Sequence, residues 1–441
     1  MSLTQIPATT AEVIAIHPGP PLAGAVSVDG SKNAALPLLA AAAALRRPVQ
    51  LSNVPTSADV QAMLTLVQQT GHRLTRTVGD PSTVLFMGGG IGTIAPELFE
   101  TAGRIRASYY LVPALLATHG RAVLPWPGGC RIGDRGMEQH FRMYEAFGDR
   151  YAVDARGYSV VAGSARTDSV SVMLPFRSRG ATVAAILRAV VAGRPLRLGL
   201  PNLSPEVTSV LRAVKSAGWG TQATERLIAL TPPTAASVEG SISWAVPGDK
   251  IEAGTLACAL AATGGHGRIE GVRGEDVAPV VAALRWLGVP VAVQENALTV
   301  HARNMQPTGH SLRAIASLSP GGLDADFEPA LMALALGLPG THLFADTINP
   351  GRHGNLVPQL AALGADIDQI SATQCRLTGP QRLTGAGVES TDIRTGSALL
   401  IAGLTARGVT TLGGLQQLRR GHADLPAKLR ALGADICEVT P

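Results

Sequence analysis

Six times along the chain an amphipathic stretch of the form apolar-x-x-apolar runs into a glycine and then into an alternating apolar and polar run. The copies are "LVQQTGHRL" around Gly71, "MYEAFGDRY" around Gly148, "LRAVKSAGW" around Gly218, "LRWLGVPV" around Gly288, "LAALGADI" around Gly364 and "LRALGADI" around Gly433. Their glycines are 77, 70, 70, 76 and 69 residues apart. Each reads as the left-handed residue that closes a helix, with a strand after it. A second pattern keeps the same beat: a helix of small residues, a glycine or proline, then an alternating strand. It is seen at "RRPVQLSNV", "HGRAVLPW", "GRPLRLGL", "HGRIEGV", "GTHLFAD" and "GVTTLGG".

Each unit of roughly seventy residues therefore predicts at least two helices and several strands. That is too large for a solenoid repeat, and the period is wrong for a (β/α)8 barrel. A chain of 441 residues exceeds one ordinary core. Six units divide as three per domain, with the Ala- and Gly-rich helices buried against sheets and a ligand cleft between the domains. We place the first domain at 21–246 and the second at 1–20 plus 247–441, with "AVPGDKIEAG", from Ala245, as the crossing point.

Composition narrows the function. A hydrophobic content of 46% with 16% charged residues belongs to a packed globular chain. Aromatic residues are 4%, too few for a base-stacking platform, and the net charge of +5 is spread without a basic run. Nucleic acid is not an expected partner; small anions are. Of 37 basic residues only Lys32, Lys215, Lys250 and Lys428 are lysines. The longest apolar run, the 13 residues from Asn33, is too short for a bilayer, and "MSLTQIPATTAEV" lacks the pattern of a signal peptide. A cytoplasmic location is the expectation. The four cysteines lie far apart, so no zinc site or disulfide framework is predicted.

Two loops carry candidate chemistry. In "WPGGCRIGDRG" Cys130 sits among glycines and two arginines, and nearby cations make a thiol reactive. The loop alone leaves open a reactive thiol, a redox sensor or an incidental surface cysteine. In "DGSKNAALPLLAAAAAL" a turn at Gly30-Ser31 leads to a helix that Asn33 can cap, with Lys32 at its positive end. That makes an anion site, or an ordinary exposed lysine.

These segments, "GSKNAALPLLAA", "RIRAS", "PGGCRIGDR" and "LRALGADI" with the sixfold repeat, together resemble the enolpyruvyl transferases. The branch that acts on UDP-N-acetylglucosamine is the more similar, because the shikimate-type branch lacks the cysteine loop. The resemblance implies a two-domain inside-out α/β barrel of six βαβαββ repeats. It implies transfer of an enolpyruvyl group from phosphoenolpyruvate to a hydroxyl, with no metal or cofactor and small molecules as partners of a monomer or weak homo-oligomer. It assigns catalysis to Cys130, Asp326, Lys32 and Arg420. Phosphoenolpyruvate would be held by Lys32, Arg135, Arg352, Asp392, Arg394 and Arg420. The acceptor would meet Asn33, Arg106, Arg135, Glu138, His140, Ser178, Arg179, Gly180, Glu206, Lys250 and Asp326, the last as base for its hydroxyl. The cleft's cations come from both domains, so the empty cleft is expected to open by repulsion and close on an anion.

The acceptor side departs from the family pattern. "GMEQH" stands for Pro-Val-Asp-Leu-His, which packs a uracil ring, and "PFRSRG" for Asp-Lys-Val-Ser-Val-Gly, which grips a diphosphate. Phe176 thus replaces a lysine. Ser204 stands for an acidic residue, Lys250 for an arginine, Ala325 for a threonine and Asn349 for an apolar residue. Two acceptors remain open: the 3′-hydroxyl of UMP, as in nucleoside-antibiotic synthesis, and UDP-N-acetylglucosamine, as in peptidoglycan precursor synthesis. A catalytically idle nucleotide-binding relative is the third reading. Fosfomycin, a phosphoenolpyruvate mimic, would alkylate Cys130 in either enzyme.

Overall fold

The computed structural model of the chain describes residues 12–88, 93–129, 132–133, 136–234 and 242–439. Both sequence rhythms correspond to regular elements. The six repeat glycines follow the helices Ala58–Gln69, Glu138–Ala146, Pro205–Ser216, Ala278–Trp286, Arg352–Ala362 and Leu425–Ala431, and all six have φ between 85° and 98°. That left-handed turn is what a residue with a Cβ resists, and it sends the chain straight into a strand. The small-residue helices are a second set: Lys32–Leu45, Val112–His119, Arg179–Ala192, Lys250–Ala262, Glu328–Leu336 and Ile393–Thr405.

These second helices lie inside. Lys32–Leu45, Val112–His119 and Arg179–Ala192 pack on one another, as do Lys250–Ala262, Glu328–Leu336 and Ile393–Thr405. Alanine and glycine let three backbones approach closely, and nearly every residue of the Lys250 helix is buried. An amphipathic surface helix would show a polar face; these show none. Six small sheets surround the two triplets, giving the inside-out α/β architecture. Two hydrophobic clusters result, one from Ala34 to Val246 and one that joins Ile14–Val28 to Ile251–Ile436. Among the described residues no helix is long and apolar enough to cross a membrane.

The halves exchange a strand. Ala23–Ser27, which leads into the Lys32 helix, pairs in parallel with His266–Glu270 of the second half. Ile242–Ala245, which leads into the Lys250 helix, pairs in parallel with Pro48–Ser52 of the first. Residues 23–27, which the expected border at 21 puts with the first domain, pair in a sheet of the second half, and the chain passes to the first half at 28–31. The alternation of this short strand gives no hint of its distant partner. Val13–Ile16 fills the last sheet beside Thr410–Gly413 and Ile436–Val439.

The two crossings touch. Ser31 N–H donates to Pro247 O at 2.7 Å, and Asp249 N–H to Asp29 O at 2.8 Å. Gly30 and Gly248 sit at this junction, where an added Cβ would lie 1.9 Å from Asn53 O and 1.8 Å from Gly271 O. The paired turns set Lys32 and Lys250 as first residues of two inner helices, one from each half. Ser31 is the residue before the helix, so Asn33 lies within it and does not cap it.

Gly248→Ala should lower unfolding stability by about 1–3 kcal/mol, since the methyl meets rigid backbone. Gly354→Ala, in open space within a helix, should raise it by up to about 1 kcal/mol. Urea titration of the two variants checks this; equal midpoints would show that the crossing is not tightly packed.

Candidate active site

The loops at the ends of the inner helices enclose one large cleft of about 1200 Å³. Its walls carry Lys32, Asn33, Arg106, Glu138, His140, Ser178, Arg179, Gly180, Lys250, Asp326, Arg352, Asp392, Arg394 and Arg420. Residues scattered over almost 400 positions thus converge. Cys130 and Arg135 lie outside the described residues. The neighbouring Ile132 accepts a hydrogen bond from Gly351 N–H at 3.0 Å, so this part of the loop reaches the second half beside Arg352.

Carboxylates and cations alternate across the cleft. Asp59 of the first half lies 3.4 Å from Lys32 Nζ and accepts from Arg420 Nε of the second at 3.0 Å. Arg179 of the first half donates to Asp324 of the second at 2.9 Å, and Lys250 Nζ sits 2.9 Å from Asp324 and 3.2 Å from Glu206. Deeper in, Arg352 and Arg394 donate to the two oxygens of Asp326 at 2.8 and 3.0 Å. Apposed cations still act against one another, Arg352 on Arg394 and Arg179 on Lys250, but the protein's own counter-anions offset that repulsion. Three of the ion pairs already tie the halves together: Asp59–Arg420, Arg179–Asp324 and Lys250–Glu206.

These contacts fix the protonation states. Burial disfavours the charge on Asp324, but Lys250 and Arg179 outweigh it and hold its pKa far below the ordinary carboxylate range. For Asp326 burial is likewise overcome, here by Arg394 and Arg352. A carboxylate so clamped is a weak base until something draws the guanidinium groups away. His140 is pushed down to about 3 by burial and by Arg106, so it is neutral at physiological pH.

Three of the expected contacts also hold the protein's own structure. Glu206 does not line the cleft; it is buried beneath the wall, where it holds Lys250. Asp392 caps the helix Ile393–Thr405, taking the N–H groups of Arg394 and Thr395 and the Thr395 hydroxyl, and so aims Arg394. Ser178 caps the helix Arg179–Ala192 by accepting from Ala181 N–H. Gly180 is required by proximity, because a Cβ there would lie 2.7 Å from His140 Nε2. Asp59 escaped the sequence reading: "TSADV" looks like any helix start, and only the fold brings it to Lys32 and Arg420.

The wall expected to meet the acceptor carries the departures from the family pattern. The carboxylate of Glu138 folds over Gly136, 2.1 Å from where a Cβ would stand, so it fills the space of the usual proline. Phe176 is 58% exposed on the wall. Arg177 donates to Pro201 O and Glu225 O, both at 2.7 Å.

The profile of the EPSP synthase (3-phosphoshikimate 1-carboxyvinyltransferase) family matches residues 16–429. The UDP-N-acetylglucosamine 1-carboxyvinyltransferase of Coprothermobacter proteolyticus is 31% identical over 437 residues, covering 96% of this chain and 97% of the relative. The UDP-N-acetylglucosamine 1-carboxyvinyltransferase 3 of Symbiobacterium thermophilum is 34% identical, with 96% of each chain covered. Among solved structures, the enolpyruvyl transferase NikO from Streptomyces tendae superposes with a TM-score of 0.83 at 25% identity, over 98% of this chain and 100% of that one. EPSP synthase from Acinetobacter baumannii, at 18% identity and a TM-score of 0.74, shares the fold.

The clamped carboxylates predict an acid limb in stability. Their native pKa values lie below the unfolded ones near about 4, so their stabilisation is complete above that pH and is lost as pH falls below it. Asp324→Asn should flatten the fall of the urea midpoint between about pH 4 and 2. An unchanged slope would mean that Asp324 is not held by Lys250 and Arg179.

Proposed function

The chain belongs to the EPSP synthase family of enolpyruvyl (1-carboxyvinyl) transferases, and from that premise we propose that it moves the enolpyruvyl group of phosphoenolpyruvate to a hydroxyl of a uridine nucleotide carrying a single phosphate, UMP being the simplest. The observation that carries the acceptor is the commitment of the wall's cations. The family pattern grips a diphosphate with a lysine where this chain has Phe176. Arg177 could have replaced it, but both of its contacts are backbone carbonyls. Arg179 is held by Asp324 and lies 3.6 Å from Glu206. A second phosphate would meet a phenyl ring and be left poorly paired. Arg142, exposed on the same wall and without an ion pair among the described residues, suits one phosphate.

The chemistry follows from the charges. The carboxylate and phosphate of phosphoenolpyruvate compete with Asp326 for Arg352 and Arg394, while Lys32 and Arg420 add a second cationic pair. Asp326, released from its clamp, regains basicity at the moment substrate arrives. It takes the proton of the acceptor hydroxyl as that oxygen attacks C2 and a proton reaches the methylene carbon. The tetrahedral ketal then loses inorganic phosphate, and the methyl carbon gives back a proton to leave the enol ether. Cys130 is the proposed donor to the methylene carbon or the site of a covalent adduct.

The rival acceptor is UDP-N-acetylglucosamine, favoured by the names of the relatives. The specificity constants of the two decide, measured by phosphate release with phosphoenolpyruvate. We expect kcat/KM for UMP to exceed that for the UDP-sugar. A preference for the sugar of about tenfold, about 1.4 kcal/mol in transition-state binding, would restore the peptidoglycan reading. Phosphate release with neither would favour the idle relative.

Asp326→Asn should lower kcat by about 10²-fold or more. Asp324→Asn should instead weaken acceptor binding, because it loosens Arg179 and Lys250. The reverse pattern would exchange the two roles. Fosfomycin should label Cys130. Cys258 and Cys375 are fully buried, with thiol pKa values raised by burial, and exposed Cys437 pairs with His17 at the far edge of the last sheet. Peptide mapping that finds the label on any of these three overturns the assignment.

A further inference from the structure

Behind the Asp326–Arg352 ion pair, whose guanidinium also donates to Ala325 O, lies a further link between the same two segments that does not involve Arg352. Glu328 is the first residue of the inner helix Glu328–Leu336, two positions after Asp326. His353 follows Arg352 in the outer helix Arg352–Ala362. Their side chains meet at 2.7 Å, Oε1 to Nε2, and neither is more than 1% exposed. Glu328 Oε2 and His353 Nδ1 have no other partner among the described residues. Neither residue has a place in the proposed chemistry.

Two apolar side chains would fill this space without desolvating a carboxylate and an imidazole, so stability alone is a poor reason for the pair. The two links differ in one respect. Asp326 borders the cleft with 19% of its side chain exposed, and substrate anions compete for its arginine. The Glu328–His353 link is buried and does not line the cleft.

We propose that Glu328 and His353 are positioning residues that hold the Asp326 segment against the Arg352 helix while Arg352 exchanges Asp326 for the substrate anion. This rests on the reading of Asp326 as the base and Arg352 as an anion ligand. In the proposed reaction the outer ion pair is broken and remade in each turnover, and the bond to Ala325 O belongs to the same moving guanidinium, so neither can fix the distance between the two segments. The inner hydrogen bond can. A shift of about 1 Å in a positioned base costs about 10²-fold in rate, which gives the inner link its value.

The test separates stability from turnover. Glu328→Gln keeps a hydrogen bond to His353 and should leave kcat within about threefold of the wild type; a tenfold fall would contradict the proposal. The double variant Glu328→Leu/His353→Leu should unfold at a urea concentration equal to or above that of the wild type, yet lose kcat by tenfold or more with KM for phosphoenolpyruvate little changed. A merely structural pair predicts that kcat returns with stability, and kcat within threefold of the wild type would overturn the proposal. Should the double variant not fold, Glu328→Ala at saturating substrate takes its place with the same two outcomes. Asp326→Asn is run alongside. If it stays active, the reading beneath the proposal fails; if it is inactive while the leucine pair turns over normally, the positioning role alone fails.

Discussion

Five carboxylates hold six of the cations of this cleft, and the rest of the structure is arranged around that pairing. Asp59, Glu206, Asp324, Asp326 and Asp346 engage Lys32, Arg179, Lys250, Arg352, Arg394 and Arg420, with the partners often drawn from opposite halves. Without them six cations would face one another across a partly dry space, where like charges repel strongly. With them much of that repulsion is offset before any substrate enters, and an excess of positive charge remains for an anion. In the proposed reaction phosphoenolpyruvate binds by exchange of partners, and the exchange itself frees Asp326 to act, so that binding and activation of the base are one event.

The fold serves this balance through the paired crossings. Because each half lends a strand to the other, the helices that begin at Lys32 and Lys250 start side by side from turns that touch. Further along the second half, the Lys250 helix supplies Glu252, which accepts from Lys428 at 2.6 Å and whose other oxygen lies 3.7 Å from His422. His422 in turn contacts Arg394 at 3.0 Å. Burial raises the cost of the Glu252 charge, yet its hydrogen bond and charge contact with His422, with Lys428 adding to them, bring its pKa down to about 2. A line of polar contacts thus runs from the crossing to Asp326, and the cleft's electrostatics are anchored in the part of the chain that joins the halves.

Much of this was legible in the sequence, and the reasons are local. The six glycines gave their positions away because a left-handed turn after a helix tolerates little else. The small-residue helices were visible because alanine runs such as the one after Lys32 suit burial on all sides. The arginines of the cleft were found through the resemblance, since an arginine near a turn carries no signal of its own. What escaped depends on distance in the chain. Asp59 meets Arg420 across 361 positions, and the strand at 23–27 meets 266–270. Nothing in the local sequence marks Glu328 and His353, which stand in the first turns of two helices, and only the tertiary fold makes them a pair. The charge balance was missed for the same reason: the cations stood out in motifs, whereas their carboxylates did not.

The most direct test of the account is a structure with UMP and a phosphoenolpyruvate analogue bound together. The account predicts that the guanidinium groups of Arg352 and Arg394 turn to the analogue. At least one Asp326 oxygen should then be free of them and within hydrogen-bond reach of the acceptor hydroxyl. An Asp326 still clamped by both arginines at the 2.8 and 3.0 Å seen without ligand would contradict it.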